Sequence, residues 1–291
     1  MSKKAILAVS FGTSYVDALK KSIESTENSF KSAFPGYEVR RAFTSQAVIE
    51  KLAAQSKVQV DGVGEALKKL AAEGFDEVYI QPLYIATDKT YQHIRDYVIK
   101  TAHSKEKEFK KIMIGRPLLL SIGIKNHPDD YQLAIEAVKA QLPELGGEKA
   151  VVFSCNGSNQ PEYSILQLKL ADAGIKNAFV YTNEGYPSFA GVLRQLAEIK
   201  ATEVVLAPFV LVGSEHLLYY IAGDKEESAK SQLEAAGYKV SVHSGGLGEN
   251  PAIQAIFVQH LKDALKAMET HHGHCRVPAH GETTVRHHCS K

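Results

Sequence analysis

A chain of 291 residues is long enough for two domains of ordinary size. Hydrophobic residues at 44% and charged residues at 23% are the proportions of a globular protein in water, and a net charge of +1 gives no reason to expect nucleic acid as a partner. No apolar run approaches the roughly 20 residues of a membrane-spanning helix, so no membrane role is expected.

The start, MSKKAILAVSFG, has two lysines and then an apolar run only from Ala5 to Val9. That run is shorter than the core of a signal peptide and lacks a small-residue cleavage site, so it reads as a first strand (5–10) of a cytoplasmic protein. Val16, Leu19, Ile23, Phe30 and Phe34 then fall near helical spacing, and Pro35-Gly36 ends the segment. A strand follows at 37–43, a helix from Thr44 or Ser45, and a second helix over about 60–73 before Gly74. EVYIQPLYI (77–85) reads as a buried strand, 90–103 as a helix and 110–119 as a fourth strand. A further helix follows with Pro128 near its start. Three cysteines, two of them close to the end, do not make a disulfide framework.

The second half repeats this order. Residues 149–158 answer 4–14, 177–188 answer YEVRRAFTSQ, 202–216 answer 76–89, and 238–261 answer the segment that begins KKIMIG. A proline interrupts the third strand of each half, Pro82 and Pro208. The expected fold is α/β. It has two similar lobes, each a small parallel sheet flanked by helices, facing each other across a cleft. The expected division is 1–143, 144–269 and a His/Cys-rich tail at 270–291, with a turn-rich linker at 141–150. Ligands of parallel sheets bind beyond the carboxyl ends of the strands, which directs attention to SFGTS, FTSQ, YIATDK, SCNGSNQ, TNEGYPS and VGSEH.

Within those loops Glu184 and His216 close different strands of one lobe. Each alone reads as a solvated loop residue. Together, a carboxylate and a neutral imidazole can share a divalent metal or move protons near neutral pH. Ser10, Thr13 and Ser14 lie in a loop without a phosphate-loop or dinucleotide glycine pattern, so no nucleotide is expected. Their hydroxyls either hold an anionic ligand at a helix N-terminus or cap the helix. Tyr84 is placed at the cleft and His93 on an exposed helical face. Histidines 271, 272, 274, 280, 287 and 288, with Cys275 and Cys289, match no defined zinc module; they read as a metal-binding tail or an end without a role.

AILAVSFGTS, AFTS (42–45), NEGYP (183–187), LVGSEH (211–216) and SGGLGENPAIQAIFVQHL (244–261) together resemble the anaerobic sirohydrochlorin cobaltochelatases of cobalamin synthesis. The resemblance runs from about residue 3 to 266 and leaves the tail outside. It implies a chelatase that needs no ATP and takes Co²⁺ as substrate metal, with Ni²⁺ or Fe²⁺ used by relatives. Its partner would be sirohydrochlorin or another anionic tetrapyrrole; a homo-oligomer is compatible with it. The family's metal site has two histidines and a glutamate. Glu184 matches the glutamate and His216 the second histidine, as metal ligands and proton acceptors. The first histidine matches Asn156, in FSCNG, and a position where members often carry histidine is Tyr84. Asn156 would then orient the ring or a metal-bound water. Ser10, Thr13 and Ser14 would bind ring carboxylates, helped by Lys89 and Arg116. An amide cannot accept a proton at neutral pH, so the second reading is a tetrapyrrole-binding protein, for haem or a corrinoid, with weak or no insertion. Cys155, one residue from Asn156, could supply a thiolate in its place, unless strand alternation turns it to the opposite face.

Overall fold

A computed structural model describes residues 2–102, 108–124, 128–139, 148–158 and 160–270. The tail from 271 and most of the linker lie outside these residues. β1 (Lys4–Ser10) leads to α1 (Val16–Ala18), a π-helical segment (Leu19–Glu24) and α2 (Ser25–Ala33), which follow one another without a break. Next come β2 (Glu38–Phe43), α3 (Gln46–Ser56), β3 (Asp61–Gly62), α4 (Val63–Ala72), β4 (Glu77–Pro82), α5 (Lys89–Ala102), β5 (Lys111–Ile114) and α6 (Asp130–Lys139). The second half has β6 (Lys149–Ser158), α7 (Pro161–Asp172), β7 (Ala178–Glu184), α8 (Phe189–Glu198), β8 (Glu203–Pro208), α9 (Glu215–Ala222) and α10 (Ala229–Ala235). β9 (Lys239–Val242), a 3₁₀ turn (Leu247–Glu249) and α11 (Pro251–Thr270) complete it.

The strands form two parallel sheets, in the orders β3-β2-β1-β4-β5 and β7-β6-β8-β9. In each sheet the first strand of the repeat lies inside, and the chain changes direction beside it. That arrangement opens a crevice past the ends of β1 and β4, and another past β6 and β8. The repeat extends to single hydrogen bonds. After Pro82 the N–H of Leu83 donates to Val9 at 2.7 Å, and after Pro208 the N–H of Phe209 donates to Ser154 at 2.8 Å.

Four expectations change. The apolar stretches that contain Pro82 and Pro208 are strand only up to the proline, which has no N–H for a further ladder bond. His216 therefore does not end a strand; it lies in the first turn of α9. The strand expected over 110–119 is confined to Lys111–Ile114. β3, two residues long, has no periodicity from which to predict it.

The central strands are apolar on both faces, as buried parallel strands are. Ile6 and Ala8 of β1 share one core with Val151 and Phe153 of β6, whereas Ala5, Leu7 and Val9 face a second core on the other side. Ala150 and Val152 face a third. The first core is common to both sheets and includes Phe30, Tyr131, Leu166 and Phe257 from α2, α6, α7 and α11. α11 packs against α2, α6 and β4, so the last helix returns to the first sheet.

Candidate functional site

At the carboxyl end of the first sheet the polar groups are enclosed. Ser10 is 2% exposed, and its carbonyl accepts the N–H of Thr44 at 2.9 Å. Its hydroxyl is buried without a hydrogen-bond partner. Thr44 Oγ1 lies 2.6 Å from the hydroxyl of Tyr84, which is 7% exposed. Burial pushes the Tyr84 phenol well above its ordinary range, only partly opposed by the Thr44 hydrogen bond. This phenol is neutral at physiological pH and is not a base there.

The loop between β1 and α1 is held tightly. Gly12 has φ +94°, and a Cβ there would sit 2.5 Å from the ring of Phe43. Thr13 is buried, and its Oγ1 accepts the N–H of Tyr15 at 3.2 Å. Ser14 is half-buried. Neither caps the helix, because the cap position is Tyr15, which makes no side-chain capping bond. Lys89 is exposed at the start of α5, and His93 is exposed on the same helix.

Arg116 is committed elsewhere. Its Nε lies 2.9 Å from Asp130 and its Nη1 2.8 Å from Asp263, and its side chain is 11% exposed. His260 Nε2 lies 3.2 Å from the same Asp130 carboxylate. Asp130 and His260 are buried, so this is an ion network inside the fold that joins α6, α11 and the loop after β5. The expected role of Arg116 as a helper for ring carboxylates is therefore corrected to a structural one.

At the end of the second sheet the side chains are open. Asn156 is exposed, and its carbonyl accepts the hydroxyl of Tyr163 at 3.0 Å. The pairing of β6 with β7 shifts register between Cys155 and Ser158, which bends the strand end where Asn156 lies. Cys155 is fully buried in the shared core with Val151 and Phe153, and burial raises its thiol pKa. It is a packing residue, not a thiolate. Glu184 closes β7 and is exposed, and its carbonyl accepts the Thr182 hydroxyl at 3.1 Å. His216 is placed by its backbone in α9; its side chain lies outside the described residues.

The glycine-rich stretch after β9 has a structural purpose. A Cβ on Gly213 would lie 2.5 Å from the Ser244 carbonyl, and one on Gly246 would lie 2.3 Å from the Gly213 nitrogen. The N–H groups of Leu247 and Gly248 donate to Val210 and Leu211, each at 2.8 Å. Backbone thus packs on backbone, and the loop that leads to His216 is fixed in place. Asn250 adds a bond of 2.9 Å to the Ala137 carbonyl of α6.

Two residues absent from the sequence expectations tie the strand ends of the two sheets together. Thr87, after β4, donates its N–H to Glu162 of α7 at 3.2 Å, and its hydroxyl bonds the same carboxylate oxygen. These residues are far apart in sequence, so no motif spacing links them. Among the described residues no group of three or more His, Cys, Asp or Glu side chains forms a metal cluster, and no helix is long and apolar enough to cross a membrane.

The model of the family described as cobalt chelatase (CbiK) matches residues 4–266. The chain belongs to the cobalt chelatase family. It is 34% identical over 265 residues to the sirohydrochlorin cobaltochelatase of Salmonella typhimurium, covering 90% of this chain and 97% of that protein. It is 30% identical over 272 residues to the sirohydrochlorin cobaltochelatase CbiKC of Nitratidesulfovibrio vulgaris, covering 92% and 93%. In fold it is similar to SirB from Bacillus subtilis with Fe³⁺, at a TM-score of 0.63 and 16% identity, over 92% of this chain and 98% of that one.

Proposed function

We propose that this protein inserts Co²⁺ into sirohydrochlorin without a nucleotide, as a step of anaerobic cobalamin synthesis. The chain-long family match carries this reading, together with the bond that joins the strand-end loop of one sheet, at Thr87, to the helix after the strand end of the other, at Glu162. We take 1–143 and 144–269 as the two repeat units.

Insertion needs three things. The metal must shed water, two pyrrole N–H protons must leave, and the ring must be held while they do. Glu184 and His216 bind the entering metal, and His216 also takes a proton when it is free of metal. Asn156, exposed at the end of β6, orients the ring or a metal-bound water through its amide. Ser14 and the backbone N–H groups of its loop bind the ring carboxylates; the buried Ser10, Thr13 and Tyr84, expected to share that task, support the loop from behind. Ni²⁺ and Fe²⁺ are the other metals to try in the same assay. One observation favours a second reading, a haem- or corrinoid-binding protein that inserts slowly: Asn156 stands where a proton-accepting histidine is expected.

The test follows Co²⁺ insertion into sirohydrochlorin by absorbance, with His216→Ala as control. Insertion by the unaltered protein well above the variant supports the chelatase. Equal rates, with tight binding of haem or a metallated corrinoid, support the binding protein.

A further inference from the structure

Glu162 is a buried carboxylate that none of the roles above uses. It lies in the first turn of α7, directly after the loop that carries Asn156, and is 1% exposed. Its Oε1 accepts both the N–H and the hydroxyl of Thr87, which belongs to the other sheet's strand-end loop. Its Oε2 is buried and has no hydrogen-bond partner. Burying a carboxylate oxygen with nothing to bond is costly, and the helix N-terminus offsets only part of that cost.

The groups that face it are themselves acids. Asp88, beside Thr87, is a second carboxylate at this spot. Burial first, and then the Glu162 charge, push its pKa up, while bonds from the Tyr91 and Thr90 N–H groups and the charge of His93 on α5 oppose this. Tyr131 on α6 faces Glu162 with a buried, unpartnered hydroxyl, and burial and the Glu162 charge keep that phenol protonated. Tyr163, on α7 itself, is kept protonated in the same way, mainly by burial. Thr87 is half-buried, whereas the Glu162 behind it is 1% exposed.

We infer that Glu162 receives a ring proton through the Thr87 hydroxyl, the task an amide at position 156 cannot perform. This rests on the chelatase reading above. In the step, a pyrrole N–H bond breaks and its proton goes to Thr87 Oγ, directly or through one water. The proton already on Thr87 passes to Glu162 Oε1. The nitrogen keeps the electron pair for Co²⁺, and Glu162 becomes a neutral acid. After the metallated ring leaves, the proton returns through Thr87 to water. Thr87 is the group at the substrate, and Glu162 acts through it.

The experiment measures nucleotide-free Co²⁺ insertion by the full chain and by Glu162→Gln, Thr87→Val and Thr87→Ser. Glutamine keeps the volume and an acceptor oxygen for both Thr87 donors but takes no proton. The expected result is a kcat lowered about ten- to a hundredfold in Glu162→Gln and Thr87→Val, with KM for the ring within about twofold, and Thr87→Ser close to the unaltered protein. An unchanged kcat in Glu162→Gln, or an effect on KM alone, reduces Glu162 to a tie between the lobes and overturns the relay. Should Glu162→Gln fail to fold, equal kcat in Thr87→Val and Thr87→Ser overturns it instead. Absence of insertion by the unaltered protein overturns the chelatase reading and the relay together, whereas an active protein with unaffected variants overturns the relay alone.

Discussion

At the end of the first sheet Ser10 and Tyr84 are buried and the half-buried Thr44 bonds to both, and the phenol cannot ionise near neutral pH. At the matching end of the second sheet Asn156 and Glu184 stand open to solvent, with His216 in the first turn of α9. The backbones beneath are alike down to the bond that follows each strand-ending proline. A duplicated scaffold thus carries a closed end of neutral hydroxyls and an open end where Asn156 and Glu184 are exposed, the end to which the proposed function assigns the metal.

That contrast can be broken in several ways. The largest effect is expected where α6 of the first half meets α11 of the second. Asp130→Ala leaves the buried His260 without its anion and Arg116 with Asp263 alone, and should cost about 3–5 kcal/mol in urea unfolding. Because one core serves both sheets, the unaltered protein should unfold in a single transition; two separate transitions would show that the sheets are independent. Next in size, Asn156→His should raise the insertion rate by about tenfold or more by adding a base at the open end. No change would mean that the Asn156 loop is not where protons leave.

Tyr84→Phe removes one buried hydrogen bond and should cost about 1 kcal/mol of stability. Its insertion rate should stay within about twofold, because the phenol is not a base. A large rate loss with normal stability would put chemistry at the closed end. The smallest effect concerns pH. Burial holds the His260 pKa below its ordinary value, against the pull of Asp130 and aided by the Arg116 charge. The unfolded chain therefore takes up that proton more readily, and stability should decline as pH falls below about 6.5. Burial alone would raise the Asp130 carboxyl, but its bonds to His260 and Arg116 outweigh this and hold it low. Its own contribution is lost only in stronger acid, as pH falls below about 3.9. His260→Gln should remove the first decline and leave the second, as read by melting temperature against pH.

Much of this was legible in the sequence. Apolar runs and turn residues located the strands, and the echo of 4–14 in 149–158 revealed the duplication. Alternation along β6 gave the inward direction of Cys155. What escaped depends on contacts between distant segments. Arg116 looked available for a ligand because its partners, Asp130 and Asp263, are set by how α6 and α11 pack. Thr87 and Glu162 look like ordinary loop and helix residues until the two strand ends meet. The Gly213–Gly246 contact resembles a ligand loop in sequence and is backbone packing in three dimensions. Proline's effect on β4 and β8 was visible, but the apolar residues that follow masked where the strands stop.

The central claim is that metal insertion takes place at the open end of the second sheet. Its most direct test is nucleotide-free Co²⁺ insertion into sirohydrochlorin, followed by absorbance, for the unaltered protein and for Glu184→Ala. The account predicts insertion well above the uncatalysed reaction, reduced by about a hundredfold or more in the variant. Insertion equally fast in the variant, or no faster than buffer in the unaltered protein, would contradict it.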